Sequence, residues 1–233
     1  ALGTGTVSVT NGAIVQLGDA STFADYYFSA NALSLDASTL LMKGTQATPI
    51  SGDVTYHFDS LTSPIFLSNS TLDFEQFAGA NIIFNGDVDA LNTSSLNYAA
   101  DSGAHTLAMN GNLTGSGTFS VNMSENTPDS LGLAFNGAAN NYTGTVSLNG
   151  DAYTVDVNTL LGQASWSING AQTLNFNGSN THAATAISTG SGSIVNITDA
   201  DTTLQVGAGT VNGVIGGLGS LTKSSTGILT LNG

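Results

Sequence analysis

Apolar residues alternate with Ser, Thr and Asn in short runs along the chain. The pattern is plain in Thr6-Val7-Ser8-Val9-Thr10, Leu33-Ser34-Leu35, Thr71-Leu72-Asp73-Phe74 and Thr118-Phe119-Ser120-Val121. It recurs in Thr145-Val146-Ser147-Leu148, Trp166-Ser167-Ile168, Thr173-Leu174-Asn175-Phe176 and Ile228-Leu229-Thr230-Leu231. A period of two sends successive side chains to opposite faces, so each run predicts a strand with one buried and one polar face. Asn-Gly or Gly-x-Gly bounds the runs, which keeps the strands short. No stripe at i, i+3, i+4, i+7 outlasts two turns. The stretch from Ser21 to Leu41 comes nearest to a helix, and its alanines leave it open. The expectation is an all-β chain.

Nine Asn-Gly dipeptides punctuate it, at Asn11, Asn85, Asn110, Asn136, Asn149, Asn169, Asn177, Asn212 and Asn232. In a sandwich or barrel such a pair makes a two-residue hairpin turn. In a parallel solenoid it supplies a left-handed corner between faces. Internal repetition separates the two. Gly115-Ser116-Gly117-Thr118-Phe119-Ser120-Val121, followed by Leu131-Gly132-Leu133-Ala134-Phe135-Asn136-Gly137, forms one unit. Gly217-Leu218-Gly219-Ser220-Leu221-Thr222-Lys223, followed by Thr226-Gly227-Ile228-Leu229-Thr230-Leu231-Asn232-Gly233, repeats it, and Gly3 to Gly12 is a condensed third copy. Repetition favours the solenoid.

The stretch Gly217 to Gly233 resembles the passenger-associated transport repeat of bacterial autotransporters, read approximately as G-x-G-x-L-x-K-x-G-x-G-x-L-x-L-x-G. The unit at Gly115 also keeps that repeat's Asn-x-Tyr-x-Gly tail, as Asn140-Asn141-Tyr142-Thr143-Gly144. Ser225 stands where a glycine is expected, and the middle copy carries an insertion from Asn122 to Ser130. The resemblance implies the passenger of an AIDA-like adhesin exported by type V secretion: a right-handed parallel β-helix spanning residues 1–233 as a single segment of a longer chain. It implies display outside a Gram-negative cell by a C-terminal outer-membrane barrel, with signal peptide and barrel lying beyond this segment. With rungs of about 20–25 residues stacked at ~4.8 Å, the chain makes roughly ten rungs and a rod about 45–50 Å long. Val7, Val9, Leu174, Phe176, Leu229 and Leu231 are expected to point inward, and Ser, Thr and Asn to form polar ladders outside.

Composition narrows the function. Charged residues make up 8% of the 233, and two lysines against sixteen carboxylates give a net charge of −14. Binding of nucleic acid or of anionic lipid needs clustered Lys or Arg, which excludes both as partners. The absence of cysteine excludes disulfides, Cys-ligated metals and thiol chemistry. No stretch is long and apolar enough for a spanning helix, so no direct membrane insertion of the segment is expected.

Candidate chemistry is sparse. Asp73-x-Glu75, Asp87-x-Asp89 and Asp199-x-Asp201 each place two acids on one strand face, as glycoside hydrolysis requires. No arginine is present to neutralise a uronate, and His57, His105 and His182 form no recognisable motif, so no enzyme and no cofactor are expected. Asp199 and Asp201 are the candidate ligands for a structural calcium, with solvated carboxylates as the alternative. Phe23-Ala24-Asp25-Tyr26-Tyr27-Phe28 sets four aromatic rings around one acid. Phe23, Asp25, Tyr26, Tyr27 and Phe28 are therefore the candidate ligand-binding residues, as a sugar platform or as a cap folding its rings onto the rod.

The functional expectation is a surface adhesin. It would drive cell–cell aggregation and biofilm formation by self-association, or attach cells to host glycans or matrix proteins. A structural stalk presenting a distal domain is the second reading, and a polysaccharide-acting enzyme the third.

Overall fold

The computed structural model describes residues 5–17, 26–28, 32–43, 53–58, 61, 63–78, 81–102, 105–125 and 131–233. Among them are twenty-six strands and no helix. They run in turns. The first turn is β1 (Thr6–Thr10), β2 (Ile14–Leu17) and β3 (Tyr26–Tyr27), and the second β4 (Ala32–Asp36), β5 (Thr39–Lys43) and β6 (Asp53–His57). The third is β7 (Ile65–Ser68), β8 (Thr71–Ala78) and β9 (Asn81–Asn85), and the fourth β10 (Val88–Leu91), β11 (Thr93–Ser102) and β12 (His105–Met109). The fifth is β13 (Leu113–Gly115), β14 (Thr118–Glu125) and β15 (Leu131–Phe135), and the sixth β16 (Asn141–Tyr142), β17 (Thr145–Gly150) and β18 (Thr154–Val157). Three two-strand turns follow: β19 (Ser165–Ile168) with β20 (Thr173–Phe176), β21 (Thr181–Thr189) with β22 (Ile194–Ile197), and β23 (Thr203–Val211) with β24 (Val214–Gly217). A last partial turn holds β25 (Ser220–Lys223) and β26 (Leu229–Leu231), both paired with β23.

Each strand pairs in parallel with its counterpart one turn away, giving three sheets of six, eleven and nine strands. This is a parallel β-helix of nine turns and part of a tenth, as the repetition predicts. Turn length varies along it. Ser38 meets Ser70 across 32 residues, Asn97 meets Asn122 across 25, and Asn149 meets Asn169 across 20. The first sheet stops at β16, and the long β21 and β23 of the second sheet cover that flank afterwards.

The period of two is obeyed rung by rung. In the third sheet Tyr56, Phe84, Met109, Phe135, Val157, Phe176 and Ile197 occupy one inner column in continuous register. All are buried. Rings from different sheets meet edge-on across the interior, Phe74 on Phe84 at 6.0 Å and Trp166 on Phe176 at 5.9 Å, the geometry aromatic quadrupoles prefer. Val9, Leu174 and Phe176 are buried as expected, and Val7 and Leu229 partly so. Leu231, in register with Val211, is 56% exposed.

Corners account for the punctuation in part: of the nine Asn-Gly pairs, three place their glycine at positive φ, Gly12 at 77°, Gly150 at 99° and Gly178 at 81°. Between the first and second sheets the left-handed residue is Asn11, then Ala37, Asn69 and Asn92 on successive turns, with φ of 61°, 49°, 50° and 55°. Of the nine Asn-Gly pairs, Asn11 is the one whose asparagine takes that conformation. Most of the others close strands with the asparagine facing outward. Gly115 and Gly217, opening the two Gly-x-Gly words, share φ near +110°, and a Cβ there would lie 2.2 Å from Ala90 O and 2.1 Å from Ile197 O. The tail of the first repeat has a matching role: Tyr142 is buried and its hydroxyl donates to Gly117 O at 2.7 Å, tying one turn to the corner of the turn before.

Candidate functional site

In the third sheet the strand that buries Phe84 turns its next residue, Asn85, outward, and the same alternation repeats on each turn. Asn110, Asn136, Asn158 and Asn177 follow Met109, Phe135, Val157 and Phe176 in the same way. Their side chains bond directly: Asn110 Nδ2 donates to Asn85 Oδ1 at 3.0 Å, Asn136 to Asn110 at 3.0 Å, Asn158 to Asn136 at 2.7 Å and Asn177 to Asn158 at 2.8 Å. Thr198 Oγ1 continues the column by donating to Asn177 Oδ1 at 2.9 Å. At the other end Asn85 is in register with His57 and His57 with Tyr27, whose rings stack at 4.3 Å and 2°. One outer column therefore crosses eight consecutive turns with no carboxylate or lysine among its own members, and toward its C-terminal end Asp156 Oδ1 accepts from Asn177 and Asp199 Oδ2 from Thr198.

A second amide column runs on the second sheet. Asn122, Asn149 and Asn169 each donate to the asparagine one turn earlier, at 2.9, 3.1 and 2.7 Å, starting from Asn97. Asp73 is the residue in register before Asn97. Burial, then the neighbouring Glu75, raises the Asp73 carboxyl above its ordinary value. Glu75 pairs with Lys43 at 3.7 Å. This acid pair lies beside an open groove of about 380 Å³ that also takes in Asn97, Asn122 and Ser124. A further cleft of about 390 Å³ opens where the third sheet turns into the first, walled by Phe58, Leu61 and Pro64 and by Asn85, Asp87 and Asn110.

The aromatic segment is divided by the rod. Tyr26 lies half-buried on Tyr56, with ring centroids 5.0 Å apart. Phe28 is buried against Phe58 at 5.2 Å. Tyr27 alone points outward, 73% exposed. Phe23 and Asp25 lie outside the described residues. Asp199 Oδ2 accepts hydrogen bonds from Gly178 N at 2.7 Å and Thr198 Oγ1 at 3.1 Å, while Asp201 is exposed in the turn before β23. Among the described residues no group of three or more His, Cys, Asp and Glu gathers as a metal site would need. The histidines stand apart. His57 is on the outer column, His105 opens β12, and His182 is buried against Phe176.

The amide column was within reach of the sequence as a recurring word: Phe84-Asn85-Gly86, Met109-Asn110-Gly111, Phe135-Asn136-Gly137 and Phe176-Asn177-Gly178. The cleft beside it was not, because it forms from corners on three different turns. The chain matches no protein-family model, no curated protein and no solved structure.

Proposed function

We propose that this chain is an adhesive rod, displayed on the surface of a Gram-negative cell, that works through its long faces. The observation that carries the reading is the outer amide column from Asn85 to Asn177 on a chain of net charge −14. Two rods of one sign repel unless they meet over a neutral face. From Asn110 to Asn158 the column is such a face. Asn110, Asn136 and Asn158 each spend one N–H and one lone pair within the column and keep another of each for a partner, while Asn177 gives its second N–H to Asp156. Bonds that are weak singly add by multivalency when rods meet along their length between two cells. Self-association leading to aggregation and biofilm is the favoured mode. The autotransporter-like repeat at Gly217–Gly233 supports export and surface display.

Sedimentation velocity over a range of protein and salt concentrations tests this. The expected result is an elongated monomer giving way to dimers as concentration or screening salt rises. Replacing Asn110 and Asn158 together by Asp, which charges the column, is expected to abolish the dimer. A chain that stays monomeric at every concentration and salt would overturn self-association through this segment.

A further inference from the structure

The geometry points to the cleft between Phe58 and Asn110 as a binding site for a neutral sugar unit of a glycan, a site that shares Asn85 and Asn110 with the amide column and is tested apart from rod pairing. The cleft lies where Phe58, Leu61, Ser63 and Pro64 face a corner at which the next two turns pass with glycines, Gly86 and Gly111. No side chain can fill it from those positions: a Cβ on Gly86 would lie 2.5 Å from Phe58 Cβ, and one on Gly111 would lie 1.9 Å from Gly86 O. At about 390 Å³ it is at the small end of ligand pockets, open on one side as the terminus of a chain of sugars needs.

Its walls carry complementary chemistry. Leu61 and Pro64 offer apolar surface to the C–H face of a pyranose. Asp87 Oδ1 is pinned by Asn112 N at 2.7 Å and Asn112 Nδ2 at 3.1 Å, which fixes the carboxylate and leaves Oδ2 for a ligand hydroxyl. Asn85 and Asn110 are pinned to each other at 3.0 Å, so their remaining N–H groups are held in place before a ligand arrives. Paired acceptors and donors beside an apolar wall suit a polyol. An anionic sugar would meet the carboxylate of a −14 chain with neither lysine in the cleft wall. A hard cation takes six to eight oxygens, and among the described residues of the wall Asp87 supplies the one carboxylate.

The test is titration of the intact chain with the methyl glycosides of glucose, galactose, mannose and N-acetylglucosamine, with glucuronate as the charged comparator, followed by saturation-transfer NMR. At least one neutral glycoside is expected to bind with a Kd on the order of millimolar. Asp87→Asn, which keeps the corner's shape, should weaken it about tenfold or more, and Ser63→Phe should block the cleft. Asn158→Ala, two turns from the cleft, should disturb rod pairing and leave sugar binding unchanged, so the two proposals fail separately. No binding by any neutral glycoside, equal binding of glucuronate, or binding unchanged in Asp87→Asn would overturn the site. If circular dichroism shows Ser63→Phe misfolded, Asp87→Asn decides alone.

Discussion

Asn158 Nδ2 donates to Asn136 Oδ1 at 2.7 Å, and every step of that column donates in the same direction, toward the N-terminal turn. Aligned amides need an acceptor at their N-terminal head. An aspartate can only accept, and the shorter columns start with one. Asp156 Oδ1 receives Asn175 at 2.8 Å and Asn177 at 3.1 Å, Asp87 receives Asn112, and Asp36 receives Ser68 at 3.0 Å. The carboxylates of this chain thus serve in part as ends of polar ladders, a use distinct from paired catalysis.

Breaking a ladder in the middle separates its two bonds. Asn136→Ala removes both and should destabilise the fold by about 1–2 kcal/mol. Asn136→Asp keeps the bond accepted from Asn158 and sets an oxygen against Asn110 Oδ1 in place of the donated one. Its cost at pH 7 should exceed its cost below pH 3, where the acid can donate again. Urea unfolding at both pH values measures the difference.

Glycine substitutions should sort by what surrounds them. Gly12 has φ of +77° with open space around a Cβ, so Gly12→Ala should cost about 1–2 kcal/mol of conformational strain. Gly115 combines φ of +109° with a carbonyl oxygen 2.2 Å from the Cβ position, and Gly115→Ala should cost about 3 kcal/mol or more. Equal melting temperatures for the two variants would show that the Gly-x-Gly corner is not constrained as described.

Those corners illustrate how far sequence reasoning reaches. Period-two runs and repeated Gly-x-Gly words were enough for the all-β solenoid and its ten or so turns, because alternation and corner chemistry are local. The left-handed residues at Ala37, Asn69 and Asn92 gave no Asn-Gly signal, and the contacts that link such corners, as Ala37 N donating to Ser68 O at 2.9 Å, run between turns. The aromatic segment read as one feature, yet the strand alternation of β3 divides it, burying Phe28 and exposing Tyr27. Columns across turns depend on rung length, which is 32 residues at Ser38–Ser70 and 19 at Asn158–Asn177, so register was beyond a reading of motifs.

Core truncation should act locally. Leu174 is fully buried in the seventh full turn, and Leu174→Ala should cost about 2–5 kcal/mol. Leu160, in the connection after β18, is 48% exposed, and Leu160→Ser should cost under about 0.5 kcal/mol. Because each turn touches only its neighbours, amide exchange in Leu174→Ala should accelerate first in β18, β20 and β22 and least in the early turns.

Acid should loosen the later turns through His182. Its ring is buried on Phe176, Nε2 lies 3.0 Å from Asn177 O, and buried Nδ1 has no hydrogen-bond partner. Burial, only partly offset by that backbone contact, lowers its pKa below the ordinary 6.5. The unfolded chain therefore takes up the proton first as pH falls. Stability from the neutral ring is complete above about pH 6.5 and declines below it. His182→Leu should flatten the pH dependence of stability between pH 7 and 5; an unchanged slope would remove His182 as its source.

Asp73 carries the opposite sign. Its carboxyl is raised above the ordinary 3.8 by burial and by Glu75, so the fold favours the protonated form and loses stability as pH rises through that range. At pH 7 the residue is a half-buried charge at the head of a column of amides, in register with Asn97. Asp73→Asn removes the charge and offers Asn97 an amide of the kind found at every later step. It should raise stability at pH 7 by about 0.5–1.5 kcal/mol and leave it nearly unchanged at pH 3, where the native acid is already protonated. Thermal unfolding of the two chains at both pH values checks this. A variant less stable than the native chain at pH 7 would mean that the carboxylate contributes through Lys43 and the surrounding groove more than its burial costs, which would shift attention to that groove as a place where charge is retained for use.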